Sequence, residues 1–338
     1  MKRIQTKSVL IVLISSLSFY NARAQDLHFS QFFEAPLYRN PALAGIVNAD
    51  IRVQTVYRSQ WNSVANAYKT ASLNAEYKLP VVNDDYITLG TQIFYDRAGS
   101  IGMKTIHILP ALNYHKSLSD DRNSYLSVGF MAGVVQRSID RSQMKTTNSY
   151  TNGTDGESNL IPQYHYFDGS AGISYNTQIG QNEMNNLVVG VAYHHFNKPK
   201  SSFYNNYNVT VQPKWVYSAD VKFSINESSF VTVYNDHTRQ GSYSETLSGM
   251  MYGLNIGAYT ENPDYTLQAG AFLRWGDAVI PTLQLDYRPF TVSLSYDVNI
   301  SRLTTTSYGR GGFELSLKYA GFLNRESSTS EAMRCPRF

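Results

Sequence analysis

The histidines and serines of this chain are the side chains that could carry nucleophilic or acid–base chemistry. A catalytic triad needs a nucleophile, a histidine and a carboxylate within hydrogen-bonding reach of one another. His194 and His195 are adjacent in a predicted strand, so their side chains should face opposite ways and cannot serve one site. His107 and His115 lie far apart along another predicted strand, and no G-x-S-x-G, H-E-x-x-H or Walker-type motif is present. We therefore expect no catalytic residues and no enzymatic activity.

A short acidic turn, formed by Asn152, Asp155 and Glu157, could offer oxygen ligands to calcium. A calcium loop of the EF-hand type needs regularly alternating oxygen ligands and a bidentate glutamate at its end. This stretch lacks that order. We therefore expect a solvated loop, with no metal site and no cofactor.

Aromatic side chains in polar segments are better candidates for chemistry of another kind, the binding of a partner. Two such segments are Ser138–Gln163 and Asn197–Lys214. Polar loops on a rigid scaffold commonly carry binding residues, and aromatic residues are enriched in protein–protein contacts. The candidate partner-binding residues are Phe203, Tyr204, Tyr207, Tyr150 and Trp61. For Trp61 the preferred alternative is a structural role at the membrane interface, with Arg58 among the lipid headgroups.

The elements that must position these residues follow from the composition. The 338 residues include 26 Tyr, 16 Phe and 3 Trp, but charged residues make up just 16%, against about 25% in an average soluble protein. After the N-terminus there is no run of about 18 apolar residues that would predict a membrane-spanning helix. This balance is typical of an outer-membrane strand protein with Tyr and Trp at both interfaces. The formal net charge of +3 and the scattered basic residues do not indicate nucleic-acid binding.

Strict alternation is clearest in Phe290–Val298 and Phe313–Tyr319, where apolar and polar residues follow one another. Each strand therefore has one apolar and one polar face. In a transmembrane barrel the apolar face meets lipid and the polar face meets the lumen. About fourteen such segments predict an all-β, antiparallel transmembrane barrel. The residues expected to face the lumen carry charges of both signs, so we expect them to form networks without net charge. They include Glu76, Arg274, Gln284, Asp286, Arg288, Asp297, Glu314 and Lys318.

The connections between predicted strands alternate in length. Those after even-numbered strands are short, and those after odd-numbered strands are mostly longer, among them Ser138–Gln163, Asn197–Lys214 and Asp236–Gly249. Outer-membrane barrels have short periplasmic turns and long extracellular loops. With a periplasmic N-terminus, the pattern places the long loops outside the cell.

The two ends of the chain differ from the barrel. Met1–Ala24 has the basic, apolar and Ala-x-Ala regions of a signal peptide, which predicts export and a mature start at Gln25. Residues 25–50 do not alternate and contain Pro36 and Pro41, so we expect either a plug in the barrel or a periplasmic segment. The barrel is predicted over 51–319. Residues 320–338, which include the single cysteine Cys335, are expected to form a flexible periplasmic tail.

Several short motifs resemble those of a known family. They are found in Gln25–Gly45, Tyr57–Trp61, Tyr95–Gly99, Ser295–Asn299, Gly311–Leu317 and Cys335–Phe338. In these segments, which span the mature chain, the sequence resembles the PorP/SprF family of the type IX secretion system of the Bacteroidetes.

That resemblance implies an accessory outer-membrane barrel of type IX secretion and gliding motility. Its partner would be a large, adhesin-like secreted protein, held or helped in export through its C-terminal sorting domain. Secretion components at the periplasmic side and outer-membrane lipid would be further partners. Two alternatives remain open at this point: a channel for small or hydrophobic solutes, and an outer-membrane hydrolase with a reactive serine.

Overall fold

The computed structural model describes residues 26–60, 68–119, 123–182, 184–257, 263–301 and 309–323. In these ranges fourteen strands form one closed antiparallel barrel, in which every strand pairs with its neighbours in sequence and the last pairs with the first. The predicted fourteen-strand antiparallel barrel is confirmed. The strands are β1 (Ile51–Gln60), β2 (Tyr68–Pro80), β3 (Tyr86–Ala98), β4 (Met103–Ser119), β5 (Ser124–Ser138), β6 (Gln163–Gln178), β7 (Asn186–His194), β8 (Lys214–Asn226), β9 (Ser229–Gln240), β10 (Tyr243–Ile256), β11 (Tyr265–Arg274), β12 (Ala278–Tyr287), β13 (Phe290–Asn299) and β14 (Arg310–Gly321).

Alternation along the strands sets the two faces of the wall. In β13 the apolar residues from Phe290 to Val298 are exposed on the outside, whereas Thr291, Ser293 and Ser295 are buried on the inside. Most of the predicted lumenal residues are likewise buried inside, including Glu76 and Arg274. The barrel is therefore apolar outside and polar inside, which is the arrangement of a membrane barrel.

Connections of different length lie at the two ends of the barrel. The end with the turns β2–β3, β8–β9 and β12–β13 is called the turn end, and the end with the connections 139–162 and 195–213 is called the loop end. One predicted long loop, Asp236–Gly249, is wrong, because β9 and β10 continue through it and are joined by Gly241 and Ser242 alone. Polar residues lie on both faces of this part of the hairpin, among them the buried Asp236 and the exposed Arg239, so the sequence there lacks the apolar alternation that marks a strand.

The segment at 26–50, here called the plug segment, lies inside the barrel and packs against the lumenal side of the wall. Its apolar side chains join lumenal ones: Phe32 packs with Met251 and Phe272, and Leu37 with Leu109 and Met131. It is built from short helical turns, as expected where prolines remove strand donors. The helical turns of the described residues are Phe32–Glu34, Pro36–Arg39, Pro41–Leu43, Arg141–Gln143 and Thr147–Thr151. No helix in the described ranges is long and apolar enough to cross a membrane.

Glycines in the wall make room for the plug segment. A Cβ added to Gly129 would lie 2.5 Å from the carbonyl carbon of Pro41, and one added to Gly172 would lie 1.9 Å from the side-chain oxygen of Asn40. Because these contacts are far below van der Waals distance, the turn at Asn40–Pro41 fits just where the wall lacks side chains.

Candidate functional site

The two long loops at the loop end form one structure, here called the loop cap (residues 139–162 and 195–213). Within the first loop, Arg141 donates through Nε and Nη2 to the carboxylate of Asp155, each at 2.7 Å, and also to the backbone oxygen of Glu157 at 2.8 Å. The hydrogen bond from Arg141 lowers the pKa of Asp155 below its usual value. Asp155, one of the residues considered as a calcium ligand, therefore binds Arg141 with both carboxylate oxygens.

A short helix in the first loop presents Tyr150. The helix Thr147–Thr151 begins with a capping box, in which the Thr146 hydroxyl accepts from the Ser149 backbone and the Ser149 hydroxyl accepts from the Thr146 backbone. Such a cap satisfies two backbone donors that a helix start otherwise leaves open. Tyr150 is therefore held on an ordered turn, and its side chain is 77% exposed.

The second loop is bound to the first. The Ile161 amide donates to the backbone oxygen of Phe203 at 2.8 Å, and the Tyr204 hydroxyl donates to Glu157 Oε2 at 2.9 Å. That bond raises the pKa of the Tyr204 phenol. Phe203 is half-buried and packs edge-on against Tyr164, with ring centroids 4.8 Å apart. The loop cap is consequently a linked surface rather than two independent loops.

The predicted partner-binding residues occupy different places in the cap. Tyr204 and Tyr207 are 52% and 63% exposed, and Lys200 Nζ lies 3.9 Å above the Tyr207 ring. With Tyr150 they give the cap three exposed tyrosine rings, whereas Phe203 is half-buried and packs against Tyr164. Trp61 lies outside the described residues.

Below the cap, a charged cluster anchors the start of the plug segment. The Asp26 carboxylate contacts His195 Nε2 at 2.8 Å and Lys214 Nζ at 3.0 Å, while the other ring nitrogen of His195 contacts Asp168 at 2.7 Å. Burial lowers the pKa of His195, but the charge of Asp26 and the hydrogen bonds that the ring donates to both carboxylates outweigh it and raise that pKa to about 9. Burial raises the pKa of Asp26, but Lys214 and His195 outweigh it and hold that pKa well below the usual value.

This cluster was missed because the sequence argument treated His194 and His195 as neighbours in one strand. In the structure β7 ends at His194, and His195 has a φ of 56°. Both rings are buried, with centroids 6.4 Å apart. Asn197 and Pro199 signalled the end of the strand, but they placed it two residues too late, after Phe196.

A second charged cluster fixes the plug segment farther along. Arg58 pairs with Glu314 and, at 2.9 Å, with Asp297, and all three side chains are at most 3% exposed. The same carboxylates accept from the plug: Glu314 from the Ser30 and Gln31 amides at 2.7 Å each, and Asp297 from the Ser30 hydroxyl at 2.6 Å. The expectation that Arg58 lies among headgroups is wrong. Its position in β1 has the same parity as the lumenal Arg52 and Gln54, which was the signal available in the sequence.

Midway along the plug, Arg39 spans two strands of the wall. Its Nε lies 2.8 Å from Asp236 and its Nη2 lies 2.6 Å from Asp220. Nearer the turn end, Glu76 binds Arg52 at 2.7 Å and accepts from the Gly45 amide at 2.8 Å. The buried charge of Arg39 is thus compensated by two carboxylates, and that of Glu76 by Arg52, as low-dielectric surroundings require.

The plug segment divides the lumen. Toward the loop end it leaves a pocket of about 60 Å³, lined by Asp26–Phe29 and by inward residues of β8 to β10. Toward the turn end it leaves a cavity of about 1110 Å³, lined by Phe33, Gln54, Lys222, Asp286 and others, and bordered by the turns β6–β7, β8–β9 and β12–β13.

Among the described residues, one pair of side chains, Ser127 and His115, has the spacing of a serine nucleophile and its base. Ser127 Oγ lies 2.6 Å from His115 Nδ1, but both residues are completely buried, so a substrate has no access to them. The same part of the chain holds no group of three or more His, Cys, Asp or Glu side chains placed to bind a metal ion.

The family model described as "Type IX secretion system membrane protein PorP/SprF" matches residues 21–319. The chain belongs to the PorP/SprF family. It is therefore an outer-membrane β-barrel of a family of type IX secretion membrane proteins, as the sequence motifs predicted. No curated protein matches the chain.

Solved structures similar to this PorP/SprF protein are other barrels. The toluene transporter TodX of Pseudomonas putida has 11% identity and a TM-score of 0.49, with 86% of this chain and 95% of that chain covered. The toluene transporter TbuX of Ralstonia pickettii has 9% identity and a TM-score of 0.48, with 85% and 94% covered. CdiB from Acinetobacter baumannii has 8% identity and a TM-score of 0.45; 80% of this chain is covered, and this chain spans 60% of CdiB. At these identities the likeness is one of fold alone.

Proposed function

We propose that this protein is an accessory barrel of type IX secretion that binds one specific large secreted protein and retains it at the cell surface or helps its export. The partner is an adhesin-like protein recognised through its C-terminal sorting domain, and retention of such a protein would serve gliding motility. The observation that carries this proposal is the loop cap, which holds three exposed tyrosine rings on an internally bonded frame. No catalytic role is included in the proposal.

Pre-ordered aromatic residues suit a protein partner. A tyrosine supplies a large contact area and loses little conformational entropy when it is already fixed. In the cap, the capping box fixes the helix of Tyr150, and Glu157 fixes Tyr204. At the opposite end, the turns and the 320–323 segment would meet secretion components in the periplasm, and the apolar outer face meets lipid.

The test is a pull-down from gently solubilised outer membrane, followed by mass spectrometry. The variant Tyr150→Ala/Tyr204→Ala/Tyr207→Ala should keep the folded barrel but recover at least tenfold less of the secreted protein than the unaltered barrel does. The matched control, Lys145→Ala/Thr154→Ala/Asn208→Ala, changes exposed polar residues of the same loops and should recover it in full. Equal recovery by both variants would remove the cap from the proposal.

A channel for small or hydrophobic solutes is the second candidate, favoured by the 1110 Å³ cavity at the turn end. The position of the plug segment argues against a channel, because the segment lies in the lumen between that cavity and the loop end and is held to the wall by ion pairs. Conductance in planar bilayers separates the two functions. A purified barrel that conducts without any protein partner would support the channel.

A further inference from the structure

Three cationic side chains form a row across neighbouring strands on the outer face of the barrel, at its loop end. Lys69 of β2 lies opposite Arg97 of β3, and Arg97 lies opposite Lys104 of β4. All three side chains are exposed and alternate with buried neighbours such as Thr70 and Asp96, so they point away from the lumen. Lys69, Arg97 and Lys104 are here called the basic row.

The charges of the basic row repel one another. Residues directly opposite in an antiparallel sheet have Cβ atoms roughly 5 Å apart, and like charges at such positions destabilise the pairing. Among the residues that the structure describes, no carboxylate forms an ion pair with a member of the row. The surplus of positive charge is therefore left for an anion outside the protein to neutralise.

One carboxylate of the loop cap, Asp140, is influenced by the row without being paired to it. It accepts from the Ser142 hydroxyl at 2.6 Å and from the Gln143 amide at 2.9 Å. The hydrogen bonds from Ser142 lower the pKa of Asp140, and the charge of Lys104 adds to that effect. A single carboxylate offsets part of three positive charges, so the row stays basic.

The apolar wall next to the row sets its depth in the membrane. Four residues farther from the loop end on the same three strands, Leu73, Ile93 and Ile108 are exposed, and Tyr95 lies between Ile93 and the row. An apolar band followed by an aromatic residue and then by cations is the order found where hydrocarbon gives way to lipid headgroups. The row therefore lies at the level of the headgroups.

The turn end treats its outward-facing cation differently. Lys116 is also on the outer face of β4, but its Nζ lies 3.0 Å from the carboxylate of Asp85, which also accepts from the Ser117 amide at 2.9 Å. That cation is neutralised within the protein, whereas the basic row is not. The difference matches a membrane whose two leaflets differ in their content of phosphate at the surface.

We propose that the basic row binds the phosphate groups of a glycolipid in the outer leaflet of the outer membrane. Arg97, at the centre, can donate two parallel charge-assisted hydrogen bonds to one phosphate, and the flanking lysines act as point charges. The acyl chains then lie against the apolar side chains below the row. The loop end faces outward in the orientation predicted from the loop lengths, which places the row in that leaflet.

A lipid bound at the row would border the loop cap. Lys104 is paired with Ser138, the last residue of β5 before the first cap loop. The proposal concerns a lipid ligand and goes beyond the binding of a secreted protein, so either idea can fail alone.

The test is native mass spectrometry of the purified full-length barrel in non-ionic detergent, mixed with lipid A. The variant Lys69→Gln/Arg97→Gln/Lys104→Gln should retain at least about tenfold less lipid A than the unaltered barrel, because each cation near a lipid surface contributes to attraction. The matched control, Lys145→Gln/Lys198→Gln/Arg239→Gln, removes three exposed cations from other parts of the loop end. It should retain lipid A in full, and equal retention by the two variants would overturn the proposal.

Two further lipids identify the group that is recognised. Lipid A without its phosphates should be retained no better by the unaltered barrel than by the variant of the basic row. Phosphatidylglycerol, which carries one phosphate, should be retained less than lipid A. Full retention of the dephosphorylated lipid would overturn recognition of phosphate, and equal retention of phosphatidylglycerol would overturn the assignment to the glycolipid of the outer leaflet.

Arg97→Glu keeps the test decisive if the triple variant does not fold. It places a carboxylate between two lysines, so it removes the like-charge repulsion within the row. In detergent without lipid, this variant should resist unfolding at least as well as the unaltered barrel, and it should lose the retention of lipid A. A folded Arg97→Glu barrel that still retains lipid A would contradict the proposal.

Discussion

The loop cap and the plug segment are both irregular segments attached to the same barrel, but the cap is held by partly exposed bonds and the plug by buried ion pairs. In the cap, the Arg141–Asp155 pair is partly exposed, and most other bonds run to backbone or hydroxyl groups. At the plug, Arg39 of the segment and the wall residue Arg58, whose carboxylate partners accept from the segment, form pairs that are almost completely buried. A buried charge that loses its partner is costly, whereas an exposed pair contributes little. The plug is therefore built to stay in place, and the cap is built to present side chains.

The largest difference in stability loss is expected between Arg58, a wall residue of the cluster that holds the plug, and Arg141 in the cap. Arg58→Gln would leave Asp297 and Glu314 buried with reduced compensation, at a cost of about 3–5 kcal/mol. Arg141→Gln in the cap should cost about 0–1 kcal/mol, because water screens the remaining Asp155. The measurement is the free energy of unfolding of each variant in detergent. Equal losses would mean that the lumen around Arg58 is hydrated and that the contrast is wrong.

The fit of the plug against the wall gives the next largest effect. Gly129→Ala places a methyl group against the Pro41 backbone and should destabilise the seated plug by about 1–3 kcal/mol. Gly90→Ala is the matched control, since its Cβ would meet Ala111 and Leu37 at 3.4 Å, which is ordinary contact. Protease sensitivity of the segment at 26–50 should increase in the first variant alone. Protection of both variants would show that the turn at Pro41 shifts without cost.

The anchor at Asp26 is expected to depend on pH. His195 has its pKa raised to about 9, so its contribution is fully present below about pH 6.5, the ordinary histidine value, and is lost as pH rises through about 9. Asp26 has its pKa lowered, so its contribution is present above the ordinary carboxyl value of 3.8 and is lost as pH falls through its lowered pKa. The anchor is therefore complete in the mildly acidic range.

A spin label at Leu27→Cys, in a Cys335→Ser background, measures that dependence. Its mobility should rise with a midpoint near pH 9 while labels in the cap stay unchanged. In His195→Gln the alkaline transition should disappear, and the label should be mobile already at neutral pH. A transition that persists in His195→Gln would assign the titration to another group.

Features of the structure that depend on neighbouring residues could be predicted from the sequence, whereas those that depend on residues far apart along the chain could not. β13 and β14 alternate so regularly that the strands and their faces followed from the local pattern, and the family motifs led to the correct family. The loop-end parts of β9 and β10 were predicted as a loop, because residues such as Asp236 and Glu245, which face the lumen, are polar and give these parts the composition of a loop. The Asp26–His195 anchor joins residues 169 positions apart, and no local pattern encodes such a contact. The cap aromatics were recognisable as a set, but whether each ring faces water or Tyr164 was decided by tertiary packing.

The smallest expected effect is that of Tyr204→Phe, which separates the role of the Tyr204 hydroxyl in fixing the side chain from the role of the ring in contacting the partner. Tyr204→Phe removes the hydroxyl that donates to Glu157 but keeps the ring, and loss of one exposed hydrogen bond should cost about 1 kcal/mol or less. Partner recovery should then stay within about threefold of the unaltered protein, which corresponds to under about 1 kcal/mol, because the ring supplies the contact. Tyr204→Ala removes both and should lower recovery further without a further loss of barrel stability. If Phe and Ala lower recovery equally, the hydroxyl and its bond to Glu157 are what the partner requires, and the cap acts through its shape rather than through its rings.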